Sequence, residues 1–322
     1  MNTREWFRNA KFGMMIHWGL YALPSGEWKG SRIPGLGEWI QYSARIPNAE
    51  YEPLAKAFNP ILFDPDEWVN TACRAGMKYM VVTSKHHDGF AMYRSKVSKY
   101  NVYDATPFHR DVIGELAVAC RRRGLRLGLY YSQDLDWNHP HGGGYVRPGT
   151  EGKDRSNNWD FTDAVAKDYA ICFEEKIKPQ VKEILSNYGD ICLIWFDVPA
   201  TITDDQSVEL YELVKSLQPD CLVNSRIGNN RGDYISTGDN QIGYETKGQT
   251  DKLFECPATL NDTWGWKSFD NNWKPSSKVI ELKNRLNAEG INYLLNVGPD
   301  HLGRFPVPAT DILREVGMTL GV

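Results

Sequence analysis

The sequence predicts an α/β fold: a (β/α)8 TIM-like barrel, irregular in outline, forming a single domain over residues 1–322. Three observations carry this. Short, continuously apolar runs alternate with segments of helical periodicity, the pattern of parallel strands covered by helices on both faces. Nearly every apolar run ends in polar or aromatic residues suited to chemistry, which spreads a site over many strand ends, as barrels do, instead of gathering it at one switch point. Neither a Gly-x-Gly-x-x-Gly turn nor a phosphate-binding loop, the usual companions of an open doubly wound sheet, occurs in the chain.

In chain order, "KFGMMIHW" ends in His17-Trp18 and "KYMVVTS" runs into His86-His87-Asp88. "LRLGLYYS" ends in Tyr131-Ser132, "ICLIWFD" in Trp195-Phe196-Asp197, and "CLVNSR" carries Asn224 and Arg226. A sixth run, "NYLLNVGP", carries Asn296. Between them, "RDVIGELAVACRRRG" has apolar residues at helical spacing, basic residues in its last turn and Gly124 as a stop. "SVELYELVKSLQ" and "SSKVIELKNRLNAEG" repeat that design, the second with a serine cap and a glycine stop. Two further strands are expected between about Asn229 and Ser276, a Gly-, Asn- and Asp-rich stretch in which no run stands out. No repeat, low-complexity tract or interdomain linker interrupts the chain.

Composition bounds the partners. A chain that is 41% hydrophobic and 24% charged, with net charge −4, offers no electrostatic reason to expect nucleic acid or a membrane surface. No stretch approaches the roughly 18 apolar residues of a membrane span. The N-terminus has no long apolar stretch before its charges, so no secretion signal is expected. The six cysteines are scattered, with no Cys-x-x-Cys pair. Together these features predict a reduced, cytoplasmic protein without structural zinc. Aromatic residues reach 12%, with 11 Trp and 16 Tyr; flat apolar rings stack on the C–H faces of sugars, although ordinary packing accounts for most of them.

The stretch "VVTSKHHDGF" poses the first chemical question. Strand neighbours point to opposite faces, so His86 and His87 enter one pocket only where the strand is already turning, and Asp88-Gly89 supplies that turn. They could serve a polar substrate, or one could be buried and the other exposed. They could also join His17 as ligands of a metal-dependent hydrolase, although the His-x-His spacing that puts two ligands on one strand face is absent. The sharper signal is "LIWFDVP", in which Asp197 ends an apolar strand, with Arg226 at the end of the next and further acids at Asp239, Glu245 and Glu255. Glycoside hydrolysis needs two carboxyl groups about the scissile bond, one ionised and one protonated. Glu255, between Phe254 and Cys256, has an apolar setting that favours the protonated form.

From about Trp6 to Leu320 the chain resembles the glycoside hydrolase family 29 α-L-fucosidases. The resemblance lies in "AKFGMMIHWGLYALP", "GEWIQYSARIPNAEYEPLAKAFNP", "GMKYMVVTSKHHDGFAMYRSKVSKYNV", "RRRGLRLGLYYS", "IWFDVP" and "LLNVGPDHLGRFP". It implies a barrel, here without the β-sandwich that usually follows, and a retaining exo-α-L-fucosidase that needs no metal or organic cofactor. It implies that Asp197 is the nucleophile. His17, Glu38, Trp39, His86, His87, Tyr131 and Arg226 match sugar-binding positions, and Trp264 in "NDTWGW" matches an aromatic wall. Trp39, Trp195 and Phe254 are candidates for an apolar patch under the C5 methyl of fucose. "FECPATLNDTWGW" resembles the stretch bearing a catalytic glutamate, which makes Glu255 the expected acid/base, with Glu245 and Asp239 in reserve. Val198 stands where many members have glycine. The partner expected is an oligosaccharide or small molecule bearing α-L-fucose; a catalytically weak fucose-binding protein is the alternative outside metal chemistry. Linkage, aglycone and oligomeric state are not specified.

Overall fold

The computed structural model describes residues 2–146, 151–161, 166–249 and 251–322. Eight strands form one parallel sheet: β1 (Phe12–Ile16), β2 (Tyr79–Lys85), β3 (Arg126–Tyr131), β4 (Leu193–Phe196), β5 (Leu222–Val223), β6 (Ile235–Ser236), β7 (Phe254–Thr259) and β8 (Ile291–Val297). They pair in the order β5-β4-β3-β2-β1-β8-β7-β6. A parallel bridge between Asn224 and Tyr234 joins the two ends of that order, so the sheet closes into a barrel. The two expected but unplaced strands are β6 and β7. β6 has only two residues, too short for any periodicity. β7 contains Pro257, which ordinarily argues against a strand. Here the Pro257 carbonyl accepts from the Asn240 N–H on the side where β6 has already ended, so the missing donor interrupts no ladder.

Side-chain alternation divides the sheet into two surfaces. Met15, Tyr79, Val81, Tyr130, Leu193, Trp195 and Leu294 pack together inside the barrel. Their neighbours Met14, Ile16, Met80, Val82, Leu129, Tyr131, Ile194 and Phe196 join the layer between sheet and helices. Burying such a side chain contributes roughly 1.5–3 kcal/mol, which is why the strands read as continuously apolar. Gly13 makes room inside: a Cβ there would stand 2.4 Å from Cζ of Tyr79, whose ring lies across the lower barrel.

The outer layer is built from α2 (Pro65–Arg74), α3 (Val112–Arg123), α4 (Lys178–Ser186), α5 (Asp204–Leu217), α6 (Ser276–Ala288) and α7 (Val307–Leu320). Asp64 and Asp111 cap α2 and α3 through their carboxylates, and Thr203 with Gln206 forms a full capping box on α5. Gly124 ends α3 in the left-handed conformation, at φ 67°. The expected serine cap of α6 is corrected: Ser276 lies inside the helix and Pro275 takes the cap position without a side-chain bond. A first helix, α1 (Thr3–Ala10), plugs the N-terminal mouth, with Trp6 and Phe7 against Tyr79 and Phe7 against Tyr234. Among the described residues α1 therefore closes the barrel interior at this end and leaves its C-terminal mouth open.

Candidate active site

At that open mouth lies a pocket of about 530 Å³ lined by His17, Glu38, Trp39, His86, Trp195, Asp197, Arg226, Asp239 and Trp264, with Gly144, Tyr145 and Val146 and also Glu151, Gly152, Lys153 and Arg155 at its rim. This volume is in the range of small-ligand sites. Asp197 follows directly on β4 and is held from three sides. Tyr130 Oη donates to Oδ2 at 2.9 Å, Arg226 Nη1 donates to Oδ1 at 2.9 Å, and the Asp197 backbone N–H donates to Gln133 Oε1 at 2.8 Å. The other terminal nitrogen of Arg226 donates to Asp239 Oδ1 at 2.5 Å, so one guanidinium spans two pocket carboxylates. Burial opposes the charge on Arg226, but the two carboxylates more than offset it and raise its pKa. The guanidinium lies 4.6 Å over the Trp195 ring.

The histidines are buried and neutral. Burial lowers His17 to about 4 and pushes His86 and His87 well below their usual value. Their tautomers follow from partners. Asn296 Nδ2 donates to the Trp264 carbonyl, which leaves Asn296 Oδ1 as acceptor for the Nδ1–H of His17 at 2.7 Å. Ser132 donates its hydroxyl proton to the Leu135 carbonyl and so accepts the Nδ1–H of His87 at 2.7 Å. Nε2 of each ring is then an acceptor, and that of His87 stands 3.9 Å from Asp197 Oδ2. The His86 ring stacks on Tyr130. Among the described residues, no three His, Cys, Asp or Glu side chains converge as a metal site needs; His17 and His86 meet edge to face at 5.5 Å.

Glu38 comes from the connection after β1. Its Oε2 accepts from the Gly265 N–H at 2.8 Å. Burial raises its pKa to about 7, against the opposing pull of that N–H. Its Oε1, Nδ1 of His86 and Nε2 of His87 are buried without a hydrogen-bond partner, which is uncommon enough to need explaining. Trp39 packs edge-on against His87, and Trp264 packs at a tilt against His17.

Four expected residues stand elsewhere. Tyr131 faces the helical layer, where its hydroxyl donates to Gln180 Oε1 at 2.9 Å; the residue beside Asp197 is its neighbour Tyr130. Glu255 faces inward, but from the second position of β7, below the Trp195 ring. It accepts from Tyr79 Oη at 2.6 Å and from Trp195 Nε1 at 2.9 Å, and it does not line the pocket. Glu245 is exposed outside the lining, and Phe254 points outward against Tyr244. Sequence reasoning also passed over Asp134. Its carboxylate accepts the backbone N–H of Ala200, Thr201 and Ile202 and, from the rim, of Gly144. Only the apolar run just before it hinted at a strand-end role. Val198, next to Asp197, adopts φ 50°, costly for a β-branched residue and the reason glycine suits this position.

A parallel barrel whose open mouth holds two arginine-bridged carboxylates among aromatic rings and neutral imidazoles has the design of a barrel glycoside hydrolase. Comparison with known proteins narrows the class. The model of the family "Alpha-L-fucosidase" matches residues 1–322. Tissue alpha-L-fucosidase of Mus musculus is 31% identical over 339 residues, covering 99% of this chain and 70% of that protein. The alpha-L-fucosidase AlfC from Lactobacillus casei, solved with α-L-fucose product, superposes with TM-score 0.92 at 53% identity, covering 98% of this chain and 97% of that one. The alpha-L-fucosidase of Vibrio sp. strain EJY3 gives 0.91 at 37% identity, covering 99% and 55%. The chain belongs to the α-L-fucosidase family.

Proposed function

We propose that this protein is a retaining exo-α-L-fucosidase in which Asp197 is the nucleophile and Asp239 the general acid and base. The single observation that carries the reading is the pair of pocket carboxylates sharing Arg226. Asp197 attacks the anomeric carbon as the glycosidic C–O bond breaks, and Asp239 delivers a proton to the departing oxygen. Asp239 then takes a proton from the water that displaces Asp197, which releases fucose with retained configuration. Its side chain is 47% exposed, so it can reach an aglycone at the mouth; Glu255, at 0%, lies behind an indole and cannot. Asp239 thus takes the role expected of Glu255.

The sugar would satisfy the buried polar atoms. The Nε2 acceptors of His17 and His87 suit hydroxyl donors, and the second oxygen of Glu38 pairs with another hydroxyl, as donor when the carboxyl is protonated and as acceptor when it is ionised. Trp39, Trp195 and Trp264 supply faces for the C–H groups and the methyl. A pocket blind at its floor supports removal of a terminal residue. An AlfC variant has been solved with Fuca(1,6)GlcNAc, which makes fucosyl N-acetylglucosamine the first natural linkage to try. The deciding experiment is hydrolysis of 4-nitrophenyl α-L-fucoside by wild type and Asp197→Ala. The variant should lose nearly all turnover, and azide should partly restore it as β-fucosyl azide. Azide product of α configuration, or activity within tenfold of wild type, would remove Asp197 from the role.

A further inference from the structure

We infer that Glu255 is a positioning residue: from beneath the pocket floor its carboxyl holds the Trp195 indole, and through that ring both groups that grip Asp197. The contacts form a continuous chain. Trp195 Nε1 donates to Glu255 Oε1 at 2.9 Å, and Tyr79 Oη donates to Oε2 at 2.6 Å. Above, Tyr130 stacks on Trp195 with centroids 5.6 Å apart and planes at 18°, and Arg226 covers the same indole. Tyr130 and Arg226 are the residues that bind the two oxygens of Asp197. An indole in a strand-end pocket has one polar atom by which its rotation can be fixed. Here that atom points down, away from the pocket mouth, onto a carboxyl that is wholly buried.

The setting is built for this. Gly13 leaves space for the Tyr79 ring to cross the barrel and reach Glu255. Trp6 and Phe7 of α1 hold that ring from below. The titratable groups around the carboxyl are Tyr79, Tyr234, Cys192 and Arg226. Burial raises Glu255 to about 7, while the bonds from Tyr79 and Trp195 pull the other way. Either protonation state keeps an oxygen lone pair for the indole N–H.

The inference rests on Asp197 being the nucleophile, and a double-mutant cycle with two substrates separates the failures. Glu255→Leu should lower kcat/KM by roughly tenfold or more, the kinetic equivalent of orphaning a buried N–H. The loss should fall equally on 4-nitrophenyl α-L-fucoside and on Fuca(1,6)GlcNAc, because no proton goes to the leaving group from here. Glu255→Gln, which keeps an acceptor oxygen, should recover most of it and retain the basic limb of the pH profile. Trp195→Phe removes the N–H but keeps a ring; on that background Glu255→Leu should cost far less than in wild type, since contacting groups couple non-additively. Strict additivity, a glutamine variant as poor as the leucine one, or a loss confined to the natural disaccharide would each overturn the inference. A failure of the nucleophile reading shows instead in the azide product of Asp197→Ala.

Discussion

Arg226 is shared by two carboxylates that the pocket treats differently. Asp197 has Tyr130, Arg226 and a backbone anchor, and 13% of its side chain is exposed; Asp239 has the guanidinium contacts and is 47% exposed. A nucleophile needs a fixed line of attack, whereas a proton donor must reach oxygens of varied aglycones at the mouth. Removing the donor should therefore be felt in proportion to how badly the leaving group needs a proton. Asp239→Ala should lower kcat/KM on natural fucosides by about 10²-fold or more. Aryl fucosides with good leaving groups should lose far less in bond cleavage and should accumulate a glycosyl-enzyme. A plot of log kcat/KM against leaving-group pKa should steepen in this variant and not in Glu245→Ala. An unchanged slope would move the role away from Asp239. The candidate site was largely legible in the sequence at this scale, because His17, His86, Asp197 and Arg226 close apolar runs that could only be strands. Choosing among Asp239, Glu245 and Glu255 was not legible, since all three fall where strands of two and six residues are joined by irregular chain.

At the scale of elements, a strand's period of two decides what adjacent identical residues do. In "GLYYS", Tyr130 and Tyr131 are equivalent by composition, and only the closed barrel assigns inside to one and outside to the other. The consequence is a paired prediction. Tyr130→Phe should lower kcat/KM on nitrophenyl fucoside by roughly tenfold through the lost bond to Asp197, with a small change in Tm. Tyr131→Phe should leave kcat/KM near wild type and reduce unfolding free energy by about 1 kcal/mol through the lost bond to Gln180. Activity loss confined to Tyr131→Phe would mean the strand faces the other way. The loop after β4 shows a second element-scale device. Val198 is held at positive φ at a cost of about 1–2 kcal/mol, and such strain persists only where its surroundings over-determine it. Asp134 supplies that constraint, gathering three backbone N–H groups just beyond Val198 and one from the rim of the pocket.

Across the whole molecule, the site burdens the fold with buried ionisable groups whose protonation is linked to stability. Glu38 titrates near 7 in the folded chain against 4.5 for an ordinary glutamate, so between those values the folded state binds more protons than the unfolded one. Stability from this group is then greatest below about pH 4.5 and is lost as pH rises through about 7. His17, lowered to about 4, acts in the opposite sense: its contribution is present above about 6.5 and is lost as pH falls toward 4. Glu38→Gln removes only the first linkage. The Tm of wild type relative to this variant should fall steadily from pH 4.5 to pH 7; a difference constant over that range would show that Glu38 is not held protonated by burial.

What the sequence determined by itself was the alternation of apolar runs and amphipathic helices, the polar residues closing those runs, and hence a barrel with its chemistry at one mouth. These are local properties, written in windows of a few residues, and burial on both faces enforces them. Tertiary structure alone decided three things: which tyrosine meets Asp197, that Glu255 lies under Trp195, and that Asp239 shares Arg226 with Asp197. The first follows from the register of β3 on β4, and the other two from barrel closure, in which the pairing of β7 with β8 and the Asn224–Tyr234 bridge bring β5, β6 and β7 round to face β4. Depth along a strand and side of a sheet are relations between strands, and no single segment carries them.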